Sequence, residues 1–596
     1  MKLIHRLLLA TIILAQSICL YAQQNPLHPY LPADAKAIIN INLPSLASKM
    51  KWQEIQQLSF FEEAVKDAPL SIKELLKDPA SSGVNFQREL FIVLIPDPKN
   101  KTKSIPVLYG QLADPKKFAA TVQKISPGKK IQTIGKITIL PDEKNLFAWT
   151  SGLFVSSMSR NKSLAPSKTG KNVSDNKAIA NQTNQLIKQC QLLLTPVANP
   201  VTTDSRFIAL TNEDGDMRLW VNRNMEKPKE KGNKQDGVLK MMNWGLMQQG
   251  NYMASVLRFE NGKAVMQMKS YMNKTMDSLY RLYPSTNLNS GLLKKLPPGQ
   301  LIALISFSMS PQMLSAMMKA SGAEKIIDSL SKKSTIKPME VAEGLNGDLT
   351  LAVIRAQEYD EKDSLTAAFK GLQVFLAASV KNKNKVQPLV NMLQKPKETK
   401  RDAEGNEIKP SGPLAGLKPA FLLTDNFFVA SISPFAAEKF LNTSSNSTIT
   451  DLTDSYANHP SLFSLDIKAI ANFAMQMSKK KNNDGKQDAS KVFESFDRIV
   501  FYGGKYENGA ALSTAELQFS NKDENSLKQF IKIIEMAVNM EMKGKKTASS
   551  DKEETLEGEN AEVTLDKIEY EKEDHPLPPP PPPKPKTKSK IKIDKN

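Results

Sequence analysis

Three short strings in the first half of the chain carry the residue types that a serine acyl-transfer enzyme needs. Ser159-Arg160-Asn161-Lys162 reads S-x-x-K, Lys168-Thr169-Gly170 reads K-T-G, and Ser174-Asp175-Asn176 reads S-D-N. In acyl-transfer enzymes such a serine attacks a carbonyl while a lysine beside it holds or moves the proton. The spacing rejects that chemistry, because those enzymes keep the strings in another order and on separate elements many tens of residues apart. Here all three crowd into one polar stretch. S-x-x-K also recurs at Ser329 to Lys332 and at Ser334 to Lys337, as chance allows in a stretch rich in serine and lysine.

The other reactive side chains narrow the chemistry further. The chain has 4 histidines: His5 near the start, His28 and His459 each just before a proline, and His575 near the end. A histidine-based triad or a multi-histidine metal centre is not expected from that distribution. The 62 acidic residues stand in no recognisable acid/base motif. Met313, Met317 and Met318, or Met536 and Met540, share helical faces; packing by a flexible side chain explains them better than copper ligation. Cys190 recurs with Leu186 and Leu193 at helical spacing, which reads as a small buried hydrophobe. No catalytic residue, metal or cofactor is expected, and the residues lean away from an enzyme.

Charge points to a different class of activity. The formal net charge is +19. Lys2 and Arg6 supply two of these charges and the region from Lys543 to Asn596 sums to zero, so the body of the chain is basic. Lys227, Lys229, Lys231 and Lys234 lie in one polar loop, and Lys479, Lys480, Lys481 and Lys486 lie in a loop at the matching place of the second half. Each loop reads as a solvated face, or the two together as a patch for a polyanion such as a phosphate-bearing glycolipid or an acidic polysaccharide. No aromatic residues interleave the lysines, so nucleic acid is not an expected partner.

The first residues give an address. Lys2 and Arg6 precede an apolar run from Leu7 to Leu20, and Tyr21-Ala22-Gln23 offers a small residue for cleavage, the layout of a secretory signal peptide over residues 1–22 cut between Ala22 and Gln23. The apolar run is shorter than the roughly 20 residues a spanning helix needs, so no transmembrane span is expected after cleavage. Cys19 invites a lipoprotein reading, but Gln16-Ser17-Ile18 lacks a small residue just before it. Export to the periplasm or the outer membrane, or beyond the cell, is expected, where an anionic envelope component or an envelope protein is the natural partner. Oligomeric state is not set by these features.

These candidate groups must be positioned by elements that the chain states twice. LPADAKAIININLPSL from Leu31 is echoed by LPPGQLIALISFSMSPQML from Leu296, and Arg88 to Ile95 by Gly347 to Ile354. Trp149 to Ser159 is answered by Leu423 to Ser433, and the hairpin on Asn261-Gly262 by the one on Asn508-Gly509. Internal similarity in one order implies two homologous domains, 23–290 and 291–542. Ala37 to Leu43 and Leu301 to Met309 read as strands stopped by proline, and Asn-Gly pairs between alternating strands read as tight hairpins. Leu527, Phe530, Ile531, Ile534 and Val538 line a helix starting near Asn525. Hairpins rather than strict βαβ alternation predict α+β domains, each an antiparallel or mixed sheet with packed helices. Residues 543–596 run from an acidic block through Pro576 to Pro583 into a lysine-rich end, a composition that predicts disorder and a polyproline spacer.

The leader, the LPADAKAIININLPSL opening, the length and the duplicated halves together resemble a family of large exported proteins from Bacteroidetes-type bacteria, domain of unknown function 4836. The resemblance covers about Leu31 to Met540. It implies no activity, cofactor or site residue. The sequence therefore predicts an exported cell-envelope protein acting as a non-enzymatic binding or scaffolding module. Its rivals are an envelope hydrolase using Asp/Glu carboxylates and a periplasmic chaperone-like partner-binding protein.

Overall fold

Strand gives way to helix at a proline in both halves. β1 (Ala37–Ile41) runs into the helix Leu43–Lys49, and β11 (Gly299–Ser308) into the helix Pro311–Ser321. Asn42 and Ser310 cap these helices, accepting hydrogen bonds from Ser45 N and Met313 N, while Pro44 and Pro311 sit in the first turn where no amide donor is needed. Ser433 caps the helix Pro434–Asn442 in the same way. β1 stops two residues earlier than the apolar run suggested, because Asn42 turns the chain and Leu43 already belongs to the helix.

The computed structural model describes residues 25–540 except 67–76, 98–99, 142–144, 159–186, 224–248, 325–335, 359–370, 395–418, 445–453 and 478–490, with residues 73, 184 and 452 described singly inside those stretches. Its fold is mixed α+β. The first half supplies, besides β1, β2 (Leu90–Asp97), β3 (Asn100–Gln111), β4 (Gln132–Ile134), β5 (Ile137–Pro141), β6 (Asn145–Trp149), β7 (Leu153–Met158), β8 (Met217–Asn222), β9 (Tyr252–Glu260) and β10 (Lys263–Tyr271). From the second come β11, β12 (Leu345–Ala356), β13 (Leu372–Val380), β14 (Ala420–Leu423), β15 (Phe427–Ser431), β16 (Ser461–Asp466), β17 (Phe496–Glu507) and β18 (Ala510–Phe519). Helix follows at residues 526–540, where the Asn525 side chain caps the amide of Leu527.

These strands join in one 18-stranded sheet, antiparallel at every pairing, rather than in a separate sheet for each half. The join is β10 against β18. Outward from it the first half runs β10-β9-β8-β1-β2-β3-β7-β6. The second half runs β18-β17-β16-β11-β12-β13-β15-β14, the same order of elements. The hairpin β5–β4 extends the first half beyond β6. At the join Gln267 stands opposite Thr514, and Gln267 follows Asn261 by as many residues as Thr514 follows Asn508.

Both hairpins turn on Asn-Gly. Asn508 at φ 51° and Gly509 at φ 79° give the β17–β18 turn its two positive angles, and Gly262 holds φ 70° between β9 and β10. Residues opposite each other share a sheet face, so Val256, Gln267, Thr514, Tyr502 and Leu462 form one row across the join. That face carries two cores. Ile38, Phe91, Tyr109 and Trp220 pack with Leu27, Leu31, Cys190 and Phe207 in the first half. In the second half Leu304, Ala352, Phe375 and Val500 pack with Leu292, Leu296, Ala436 and Phe440. Each core buries large apolar side chains from both the sheet and its cover, the dominant favourable contribution to folding.

Candidate functional site

Over the join of β10 and β18 a cleft of about 260 Å³ opens. Leu210, Ala254 and Val256 wall it from the first half; Tyr502, Leu512 and Thr514 wall it from the second, with Gln267 between. Five ionisable groups line it: Glu213, Lys269, His459, Tyr502 and Lys505. Leu210, Ala254 and Val256 are at most 3% exposed, so one wall is the edge of the first core.

Local sequence explains how each wall is held. Asp204 caps the helix Ser205–Thr211 by accepting from Arg206 N and clasps the Arg206 guanidinium at 2.9 and 2.6 Å. That hydrogen-bonded clasp, against the cost of burial, holds the guanidinium above its ordinary pKa. The same guanidinium lies 4.4 Å from the Tyr252 ring and 5.2 Å from that of Tyr271, a cation–π seat that fixes the helix on β9 and β10. Leu210, one turn along, is thereby set into the cleft. Just past the helix, Glu213 meets Lys269 of β10 at 2.6 Å, and its carbonyl accepts from Arg218 Nε at 2.8 Å.

The opposite wall depends on a β-bulge. Gly503 pairs with Ser513 and Lys505 with Leu512, which leaves Gly504 without a partner. In a regular ladder Lys505 would oppose Ala511 and point to the other face; one inserted residue turns it to the cleft face. Glycine is required, since Gly503 and Gly504 hold φ 149° and 98° and a Cβ on Gly503 would lie 2.4 Å from Leu512 O. Among the described residues no hydrogen bond or ion pair engages the Lys505 ammonium. His459 stacks on Tyr502 at 4.7 Å between ring centroids. Burial and the nearby Lys505 both hold the imidazole below the ordinary histidine value, so it is neutral at pH 7. Tyr502 is raised by burial and by Glu516, to which its hydroxyl lies at 3.4 Å.

Chemically, the cleft offers an apolar wall, two lysines and one carboxylate. Glu213 is already ion-paired, and paired-carboxylate hydrolysis needs a second acid facing it; among the described residues none lines this cleft. Residues 28–527 match the family described as domain of unknown function 4836. The chain belongs to that family. The DUF4836 match contains the sheet from β1 to β18 and every residue of the cleft. No curated protein matches the chain. Crystal form III of TP0453 is similar at a TM-score of 0.24 and 11% identity, covering 45% of this chain and 90% of that one. Crystal form I of TP0453 gives 0.24 and 10%, covering 45% and 88%; likenesses of this size carry no argument.

Of the residues singled out in sequence, several lie outside the described part of the DUF4836 chain. These are Ala22 and Gln23, the serine strings from Ser159 to Asn176, and the lysines Lys227, Lys229, Lys231, Lys234, Lys479, Lys480, Lys481 and Lys486. Cys190 is fully buried, and burial pushes its thiol up to about 12, which removes it as a nucleophile at neutral pH. Met313 is buried. Among the described residues no cluster of His, Cys, Asp and Glu is placed to hold a metal ion, and no helix is long and apolar enough to cross a membrane. His459, read in the sequence only as a residue just before a proline, lines the cleft.

His28 is 8% exposed, sits edge-on to Phe91 and Phe207, and its Nε2 has no hydrogen-bond partner. Burial lowers its pKa against the opposing pull of Glu89. An unfolded chain therefore binds the proton first as pH falls below about 6.5, so stability declines on acidification through that window. Thermal unfolding at pH 5.5 should come about 1–3 °C below that at pH 7.5, and His28→Leu should shrink the difference. An unchanged difference in the variant would assign the acid sensitivity elsewhere.

Proposed function

We propose that this DUF4836 protein is an exported, non-enzymatic binding module of the cell envelope, built from two homologous halves, with its ligand site in the cleft over the join of β10 and β18. The observation that carries the reading is the cleft itself, an apolar-walled recess with, among the described residues, an unpaired lysine and no second acid beside Glu213. Recesses at junctions between similar units are common ligand sites. Homology of the halves is supported by the matching strand order and by Gln267 facing its sequence counterpart Thr514. Export rests on the layout of residues 1–22, and a basic body suits an anionic envelope partner.

Two measurements test this reading. Amino-terminal sequencing of protein from the envelope fraction should begin at Gln23; protein found in the cytosol with Met1 intact contradicts export. Native mass spectrometry of envelope-purified protein should show a retained small molecule that is lost in Thr514→Trp, a substitution that fills the cleft. Retention of the same mass by the folded variant would place the ligand elsewhere.

A further inference from the structure

We propose that the cleft takes a single-headed anionic amphiphile, its head bound by Lys505 and its hydrocarbon chain laid against Leu210, Ala254, Val256 and Leu512. The proposal rests on the cleft being the ligand site and adds the class of ligand. Charge is its first support. Lys269 is neutralised by Glu213 at 2.6 Å, so the lining carries one uncompensated charge, the ammonium of Lys505. A half-buried cation without a partner is unfavourable until an anion joins it.

The wall chemistry is the second support. Leu210, Ala254 and Val256 present hydrocarbon only, which suits an alkyl chain and offers nothing to the hydroxyls of a sugar. Near Lys505, Gln267, Thr514 and the neutral His459 add hydrogen-bonding groups for a head. The bulge is the third. Two glycines in strained backbone angles are kept where a regular strand would turn Lys505 away from the cleft. At about 260 Å³ the cleft holds about nine water-sized groups at roughly 30 Å³ each, the bulk of an eight-carbon chain with its head at the mouth. A fatty carboxylate and a phosphate monoester both present this chemistry.

The test is calorimetric titration of the full mature chain with octanoate, octyl phosphate, octylamine, octanol and inorganic phosphate. Octanoate or octyl phosphate should bind one-to-one, and the tighter of the two identifies the source of the head. Lys505→Ala should weaken that binding about tenfold or more, while Lys505→Arg stays within a few fold; both variants should unfold at the wild-type temperature. Octylamine or octanol binding as tightly as octanoate overturns the anionic head and leaves the cleft as a ligand site. Equal binding by wild type and Lys505→Ala overturns the role of Lys505. Failure of all five probes to bind overturns the amphiphile, and loss of the retained mass in Thr514→Trp then decides separately whether the cleft reading stands.

Discussion

Asp216→Ala should lower the free energy of unfolding by about 3–5 kcal/mol, the range for breaking a buried ion pair from one side. Asp216 is wholly buried just before β8. Its carboxylate accepts from Lys49 Nζ at 2.5 Å, from Ser45 Oγ at 2.6 Å and from the amide of Phe259 at 2.6 Å. Its backbone carbonyl accepts from Asn42 N, and its amide donates to Leu257 O. One side chain thus ties the first proline-started helix to β8 and β9. Removing it takes the acceptor from three donors, of which Lys49 keeps 24% of its side chain exposed. Urea unfolding followed by tryptophan fluorescence checks this, because all four tryptophans lie in the first half. Combining Asp216→Ala with Lys49→Met should recover part of the loss. A single variant within about 1 kcal/mol of wild type would mean that the pair does not hold the helix.

Gly503→Ala should cost about 3 kcal/mol and displace Lys505 from the cleft. Its Cβ would meet Leu512 O at 2.4 Å and Ser513 Cα at 2.5 Å, both backbone atoms that retreat only if β17 and β18 separate. Overpacking of this kind costs about 1–3 kcal/mol, and an alanine held at φ 149° adds about 1–3 kcal/mol. The measurement is urea unfolding together with octanoate titration. Loss of stability with intact binding would show that the bulge does not place Lys505. Full retention of both would show that the close approach of the strands is not needed.

The sequence announces those parts of the fold that are local. Asn-Gly pairs tolerate the positive φ angles of a tight turn, so the hairpins at Asn261 and Asn508 are legible without any partner strand. Ser310-Pro311 and Ser433-Pro434 likewise state a helix start in two residues. Pairing between distant strands is not stated this way. Asp216 is one acid among many, and nothing near it reveals a lysine at position 49. The single sheet shared by both halves was equally hidden, since β10 and β18 look like ordinary second strands of hairpins and the choice of neighbour belongs to tertiary packing.

The cleft was hidden for a related reason. Its groups come from β9, β10, β17, β18, the helix Ser205–Thr211 and the segments that follow that helix and precede β16, and none forms a motif. One clue was present: Gly503-Gly504 interrupts an otherwise alternating strand, and a glycine pair inside a strand marks a bulge or a close approach. The serine strings and the lysine-rich stretches stand out in the sequence because polar segments are rich in such residues, which is a property of composition.

The account stands on the cleft over β10 and β18 as the place where a ligand binds. Hydrogen–deuterium exchange of the full chain, with and without octanoate at saturating concentration, tests this most directly. Protection should concentrate in β10 around Gln267 to Lys269 and in β17 around Tyr502 to Lys505, with Lys505→Ala removing it. Protection confined to other parts of the sheet would contradict the account, and exchange unaltered throughout would contradict the amphiphile as its ligand.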